Sequence, residues 1–455
     1  MDQPNLLTTP LAERLFHETA EPLPILDRHN HLPIRDLAEN RPYADLTEVL
    51  LLSDPYKHRV MRILGYPEEV ITGDAEPWEK FRVWCEAYVR LVGHPIADWS
   101  RLEMERVFGI TQPLSPQNAR EIWETANDLL RLPEYTAKGI FDRFRVRYCA
   151  PCTALEDELS PYEGLPECAP SLRGDGIVSA VRHTAELLGS RYGESCGDWE
   201  RFSALLLRRL REFHDCRCRV SDHAVDAPWS YYPDDGKKEL RFAACIGGQT
   251  LTAEDQARLS CDVLRLCAGL YRKLDWVMQL HIGALRYTST RLRKAAGGAG
   301  GFAGIGATPV AEIAAFLDDC EKEDALPRTI LYSMEPASWE ELAVLSGSFN
   351  RAGENGYVQL GAAWWWSDHA IGIRRTLDAV KDYAVLSAFS GMTTDSRSIL
   401  SFSRHEYFRR VLCGWMGEKV RQGQITAEEN QLKETVRAIC WQNEYETLTK
   451  RGIIL

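Results

Sequence analysis

The chain has 455 residues, with 54 Lys and Arg against 66 Asp and Glu, for a formal net charge of −12. Hydrophobic residues make up 45% and charged residues 26%, enough apolar material for a large core, which excludes a disordered or fibrous chain. An acidic chain with no long Lys/Arg block repels phosphate backbones, so nucleic-acid binding is excluded and a small substrate is expected.

The first two dozen residues carry Asp2, Glu13, Glu18 and Glu21 and lack the basic start and apolar run of a secretory signal. The longest apolar runs, such as residues 358–366, stop well short of the roughly 20 residues that cross a bilayer. A soluble, cytoplasmic protein with no membrane partner is expected. Its 13 scattered cysteines fit reduced thiols. Cys149 with Cys152 and Cys216 with Cys218 have spacings that could offer four thiolates to zinc, but both pairs fall in strand-like stretches, where buried inert thiols are the default.

In chain order, short apolar runs at 23–27, 145–150, 166–172, 216–221, 275–280, 328–332, 357–362 and 384–389 read as strands, most of them separated by helical periodicity. Eight buried strands alternating with helices predict an α/β fold, a (β/α)8 TIM barrel, in preference to an open doubly wound sheet. The stretch between the first two strands exceeds 100 residues, is rich in helix formers and Trp, and is far too long for a βα crossover. It predicts a helical insertion after the first strand. The division is residues 1–34 (N-terminal segment and first strand), 35–140 (insertion subdomain) and 141–455 (the rest of the barrel with C-terminal helices). The glycine-rich segment 297–306 lacks a phosphate-loop pattern and reads as a mobile loop near the active site.

The chemistry concentrates at strand ends. Asp27-Arg28-His29-Asn30-His31 follows the first run, and alternation along a strand points His29 and His31 the same way, toward one metal ion. A third ligand is expected from another strand end. Asp395 follows the eighth run, which would neighbour the first in a closed barrel; His281 ends the fifth and would bind metal or contact substrate. Each has a plainer alternative, a helix N-cap for Asp395 and a hydrogen-bonded core imidazole for His281. Arg173 and Arg397 end the third and eighth runs, where planar two-pronged donors clamp a carboxylate, although a surface ion pair is the commoner fate of an arginine. In Trp364-Trp365-Trp366, strand alternation would put Trp364 and Trp366 on one face and Trp365 on the other. Tyr56, in the insertion, carries no signal by itself.

Residues 27–32 (DRHNHL), Tyr56-Lys57 with Arg59, 278–286 (MQLHIGALR), 329–332 (TILY), 361–365 (GAAWW), 394–398 (TDSRS) and 404–412 (RHEYFRRVL) make the chain resemble, nearly end to end, the uronate (glucuronate) isomerases of the amidohydrolase superfamily. The resemblance implies a (β/α)8 barrel with a helical insertion, one divalent metal ion, usually zinc, and aldose–ketose interconversion of hexuronates. Carried over by position, His29, His31 and Asp395 would hold the metal with His281 beside it, while Tyr56, Arg173, Trp364 and Arg397 would shape the uronate site. Asp395 would then shuttle a hydroxyl proton, Tyr56 or a metal-bound water would serve at carbon, and Arg173 or Arg397 would fix the C6 carboxylate. The partner is a small acid sugar; a homo-oligomer is left open.

The chain also departs from the family pattern. Pro55 replaces the usual His before the tyrosine, residues 150–154 (APCTA) replace a Thr-Thr-Asp-Asp-Pro run, Ala299 and Ala303 replace loop aspartates, and Tyr287-Thr288-Ser289 replaces asparagines. An altered or narrower substrate is therefore expected. The competing class is a metal-dependent hydrolase of a lactone, ester or amide of an acidic compound, and a third reading is an idle sugar-acid binding protein.

Overall fold

The structure, a computed structural model, describes residues 6–297, 301 and 303–453; Ala299 lies outside them. Strands β1 (Ile25–Asn30), β2 (Val146–Ala154), β3 (Ser171–Arg173), β4 (Val220–Val225) and β5 (Val277–Ile282) are followed by a small antiparallel pair, β6 (Ala284–Leu285) with β7 (Gly304–Ile305). Then come β8 (Arg328–Ser333) and β9 (Val358–Leu360). The main sheet has seven strands in the order β1-β2-β3-β4-β5-β8-β9, all paired in parallel. Every residue of β1, β5 and β8 is buried, as parallel strands covered by helices on one face and a packed interior on the other must be.

The expected eighth strand at 384–389 does not form. Leu386–Ala388 is a turn of 3-10 helix, and the chain then runs on without a ladder. Two left-handed residues break the regular geometry here, Gly391 at φ 67° and Asp395 at φ 44°. An added Cβ on Gly391 would stand 2.3 Å from the Ile439 carbonyl oxygen, so the close approach itself demands glycine. This segment nevertheless touches both sheet edges. Gln359 of β9 exchanges two side-chain hydrogen bonds with Ser390, and on the other side the Asp395 N–H donates to the His29 carbonyl at 3.1 Å and the His31 N–H to the Ser396 carbonyl at 2.8 Å. One segment can bridge both edges only if the sheet is curled round so that they face each other.

Among the described residues no strand lies between β1 and β2, and nine helical segments from Ile34–Ala38 to Ala137–Arg143, six of them α-helices, fill the interval. Their starts follow local chemistry. Pro55, Pro77 and Pro95 each open a helix with the fixed φ suited to a first turn, and Asp54 caps the Pro55–Ile63 helix by accepting the Tyr56 and Lys57 N–H groups. Lys57 is only 1% exposed, and its ammonium is satisfied by the Leu50 carbonyl at 2.9 Å, Glu103 at 2.7 Å and Asp54 at 3.0 Å. That buried cluster ties the helix carrying Tyr56 to the Pro95–Phe108 helix.

The cysteines do not converge. Cys149 lies 3.4 Å from Cys168, Cys152 donates to Asp222, and Cys216 and Cys218 reach the carbonyls of Leu159 and Val220. All 13 are free.

Candidate active site and metal centre

His29 lies inside β1 and His31 just past its end. Asp395 stands between them, its Oδ1 3.1 Å from His29 Nε2 and 2.9 Å from His31 Nε2, while Oδ2 accepts Trp364 Nε1–H at 2.5 Å. Asp27 holds this arrangement from behind: its carboxylate accepts the hydroxyls of Thr393 and Thr394, each at 2.6 Å, and the Thr394 N–H at 2.8 Å. Burial would raise the Asp27 carboxyl, but His405 and these donors outweigh it and hold it below the ordinary range. An ionised clamp on β1 thus fixes the backbone that presents Asp395. The left-handed φ of Asp395 is strain that these bonds sustain.

On the far side of His29, Nδ1 lies 3.8 Å from Asp222 Oδ1, and the His281 ring centroid is 4.7 Å away. His281 is sandwiched between Tyr332 at 5.2 Å and Trp364 at 4.7 Å. The ligand atoms of His29, His31 and Asp395 lie within 4.8 Å of one another, as do those of His29, Asp222 and His281. His29 Nδ1 and His281 Nε2 are buried without a hydrogen-bond partner.

The electrostatics suit a cation. Burial opposes charge on His29, yet Asp222 and Asp395 outweigh it and raise its pKa. Burial, aided by the positive charges of His29 and Arg397, pushes His31 down to about 4, and burial with His29 pushes His281 well below its usual value. Both are therefore neutral at pH 7, the form that donates a lone pair. Burial also raises Asp395, but the hydrogen bonds from His29 and His31 outweigh it and keep the carboxylate ionised. Nitrogen and carboxylate donors with unsatisfied buried imidazole nitrogens fit a divalent metal ion.

These groups open into a cavity of about 330 Å³ whose lining includes His29, His31, Tyr56, Arg173, His281, Trp364, Asp395 and Arg397. All eight residues singled out from the sequence are therefore brought to one place. Arg173 Nε donates to Asp175 at 3.2 Å. Arg397 makes no hydrogen bond or ion pair among the described residues and also borders a neighbouring hollow. Tyr56 is wedged edge-on between Trp99 and Trp366, at 5.6 and 5.5 Å, with the Arg404 guanidinium 5.4 Å from its ring centroid. Burial raises its phenol far above the ordinary value.

The tryptophan triplet departs from the expected alternation. β9 ends at Leu360, Trp365 takes φ 50°, and Trp365–Ser367 is a 3-10 turn, so all three indoles line the cavity. Sequence reasoning also passed over Asp222, Asp175 and Arg286, which share that lining. Asp222 was missed because the fourth strand was placed too early: β4 begins at Val220, and Asp222 is the first carboxylate within it. Arg286 stood inside a quoted motif but had no strand end to mark it; its Nε donates to Asp226 at 2.7 Å.

Imidazoles and carboxylates gathered at the ends of parallel strands, under a helical layer, define an α/β enzyme with a metal-binding site. Residues 1–447 match the family model described as glucuronate isomerase. The uronate isomerase of Actinobacillus succinogenes is 37% identical over 457 residues, covering 97% of this chain and 98% of its own. A crystal structure of the Thermotoga maritima uronate isomerase superposes with a TM-score of 0.90 at 30% identity, over 98% of this chain and 99% of that one. The glucuronate isomerase of Caulobacter crescentus shares the fold, with a TM-score of 0.90 at 22% identity over 99% and 97% of the two chains. The chain belongs to the glucuronate isomerase family.

Proposed function

We propose that this enzyme interconverts the aldose and ketose forms of a hexuronate, or a close relative, through an enediol. In this reading one divalent metal ion, zinc, is held by His29, His31 and Asp395, with His281 beside it. The observation that carries the reading is the meeting, in one cavity, of that donor set and an arginine without a carboxylate partner. A metal held there would supply Lewis-acid polarisation of the substrate carbonyl.

Charge balance chooses between the arginines. Arg173 and Arg286 already face Asp175 and Asp226, whereas Arg397 has no anion. The C6 carboxylate is therefore assigned to Arg397, where it gains a charge-assisted, two-pronged contact without displacing a protein carboxylate. Arg173 is left to orient hydroxyls. The raised phenol of Tyr56 stays protonated at neutral pH, so Tyr56 acts as a donor and not as the base at carbon. Asp395 accepts the hydroxyl proton, aimed by Trp364. Asp222 lies 3.8 Å from His29 Nδ1, beyond hydrogen-bond reach, where its charge favours a cation at this end of the cavity.

Pro55, Tyr287 and Ala303, positions where other polar groups were expected, line the same cavity. They support a substrate that differs from, or is narrower than, glucuronate and galacturonate. We read the curled sheet as a (β/α)8 barrel whose eighth strand is irregular, carrying residues 35–140 as an inserted subdomain, in a cytoplasmic enzyme. The test is incubation of the metal-loaded protein with a panel of hexuronates, followed by NMR for the ketose carbonyl. Ketose formation from at least one acid sugar is expected. Release of titratable acid from lactones or amides, with no ketose from any sugar, would overturn the reading in favour of hydrolysis.

A further inference from the structure

Beside the catalytic cavity lies a second one, of about 480 Å³, walled in part by Arg59, Arg62, Arg291, Tyr66, Glu68 and Gly301. Gly301 borders both cavities. Its backbone packs so closely on the start of the Tyr56 helix that an added Cβ would stand 2.3 Å from the Pro55 carbonyl oxygen. Arg59 spans the partition: Nη1 donates to the Gly301 carbonyl at 3.3 Å, and the guanidinium lies 4.5 Å from the ring centroid of Trp366, a wall of the catalytic cavity.

The charges in this second cavity do not balance. Three guanidiniums face one carboxylate, Glu68, which is already engaged by Arg62 through Nε at 2.9 Å and Nη2 at 2.6 Å. The Arg62 side chain is only 10% exposed, yet its Nη1 is buried without a partner. Among the described residues neither Arg59 nor Arg291 has a carboxylate partner. The Thr290–Ala296 helix that carries Arg291 adds Arg293 and Lys294 and no acid. In a chain of net charge −12, a local excess of this kind focuses positive potential beside the catalytic cavity. A buried guanidinium with an open N–H is stabilised by an anion that completes its fork.

We propose that this cavity is a second anion-binding site, an antechamber that captures the carboxylate of the incoming acid sugar before it reaches Arg397. The assignment of the captured anion rests on the isomerase reading. Exposed Arg291 makes the first contact, and Arg59 forms the inner seat beside the Arg62–Glu68 pair. Capture of this sort speeds encounter and leaves the chemical step alone.

The test compares Arg291→Glu and Arg291→Lys with the parent enzyme across ionic strength. At low salt, Arg291→Glu is expected to lower kcat/KM about three- to tenfold with kcat unchanged. The gap should close near ~0.5 M salt, where charges are screened within a few ångströms, and Arg291→Lys should stay within about twofold. Damage to the fold would instead lower kcat at every salt concentration. In parallel, equilibrium dialysis with gluconate, which cannot isomerise, should count two bound per chain at low salt and one in Arg59→Gln/Arg291→Glu. If no hexuronate is turned over, the isomerase reading falls while the gluconate count still decides the antechamber. A single gluconate in the parent protein, or a kcat/KM gap that ignores salt, would overturn the proposal. Inorganic phosphate outcompeting gluconate at the second site would also overturn it, by making the seat a phosphate site.

Discussion

Lys57 offers a demanding test of how the insertion holds Tyr56. Its ammonium makes three contacts, to the Leu50 carbonyl, Glu103 and Asp54, at 1% exposure. Burial opposes the charge, but Glu103 and Asp54 outweigh it and raise the lysine pKa. Lys57→Met keeps the apolar stem and deletes the charge, leaving Glu103 buried at 2% exposure with no cation against it. Breaking one side of such a pair costs about 3–5 kcal/mol, roughly two to four decades in the folded-to-unfolded ratio. Urea unfolding followed by tryptophan fluorescence measures the loss. Lys57→Met/Glu103→Leu removes one of the two stranded carboxylates, leaving Asp54 on the Tyr56 and Lys57 N–H groups, and should recover a measurable part of it. Because Lys57 adjoins Tyr56 on one short helix, the single variant should also lose activity below its unfolding transition. A loss under about 1 kcal/mol, or no recovery in the double variant, would refute the argument that this pair is desolvated.

Asp395→Asn keeps the shape of the central ligand but not its charge, and should lower the metal retained after dialysis by at least about tenfold, as read by elemental analysis. Arg397→Met should reduce kcat/KM for the preferred uronate by about 10- to 100-fold, the worth of one charged hydrogen-bond pair, while metal content is unchanged. Gly361→Ala would place a Cβ 2.4 Å from the Tyr332 ring that stacks on His281, so it should destabilise the protein by about 1–3 kcal/mol and lower activity in assays run well below its melting temperature. Burial would raise Asp54, but Lys57 outweighs it and holds the carboxyl below its ordinary range. Its contribution is thus fully present above the unfolded value of about 3.9 and is lost as pH falls through the folded one. The stability gap between the parent and Asp54→Asn, measured by urea unfolding, should therefore be open at pH 7 and shrink below about pH 4.

Local rules made much of this protein readable in advance. The two-residue spacing of His29 and His31 states that both imidazoles face one way, because a strand alternates. Pro55, Pro77 and Pro95 mark helix starts for reasons contained in their own rings. A family motif carried Tyr56 to the cavity although nothing local to it says so, whereas Arg173 was marked by its place at a strand end. The same local reasoning failed where a distant partner fixes the backbone. Residues 384–389 have the composition of a strand, but the approach of Ile439 to Gly391 and the grip of Asp27 on Thr393 and Thr394 hold the following segment in another shape. Trp365 turned left-handed, so the alternation expected for the triplet did not apply.

The pattern of apolar runs and the spacing of polar groups at their ends determined that this is an α/β enzyme chain with a metal-suited histidine pair, since periodicity and residue chemistry are properties of a few neighbours. Only the tertiary structure decided which charges cancel. Asp175 and Asp226 occupy Arg173 and Arg286 and leave Arg397 open, while Arg59, Arg62 and Arg291 gather at a second cavity. Coulomb interactions depend on distance through space and on burial, and neither is written in the order of residues along the chain.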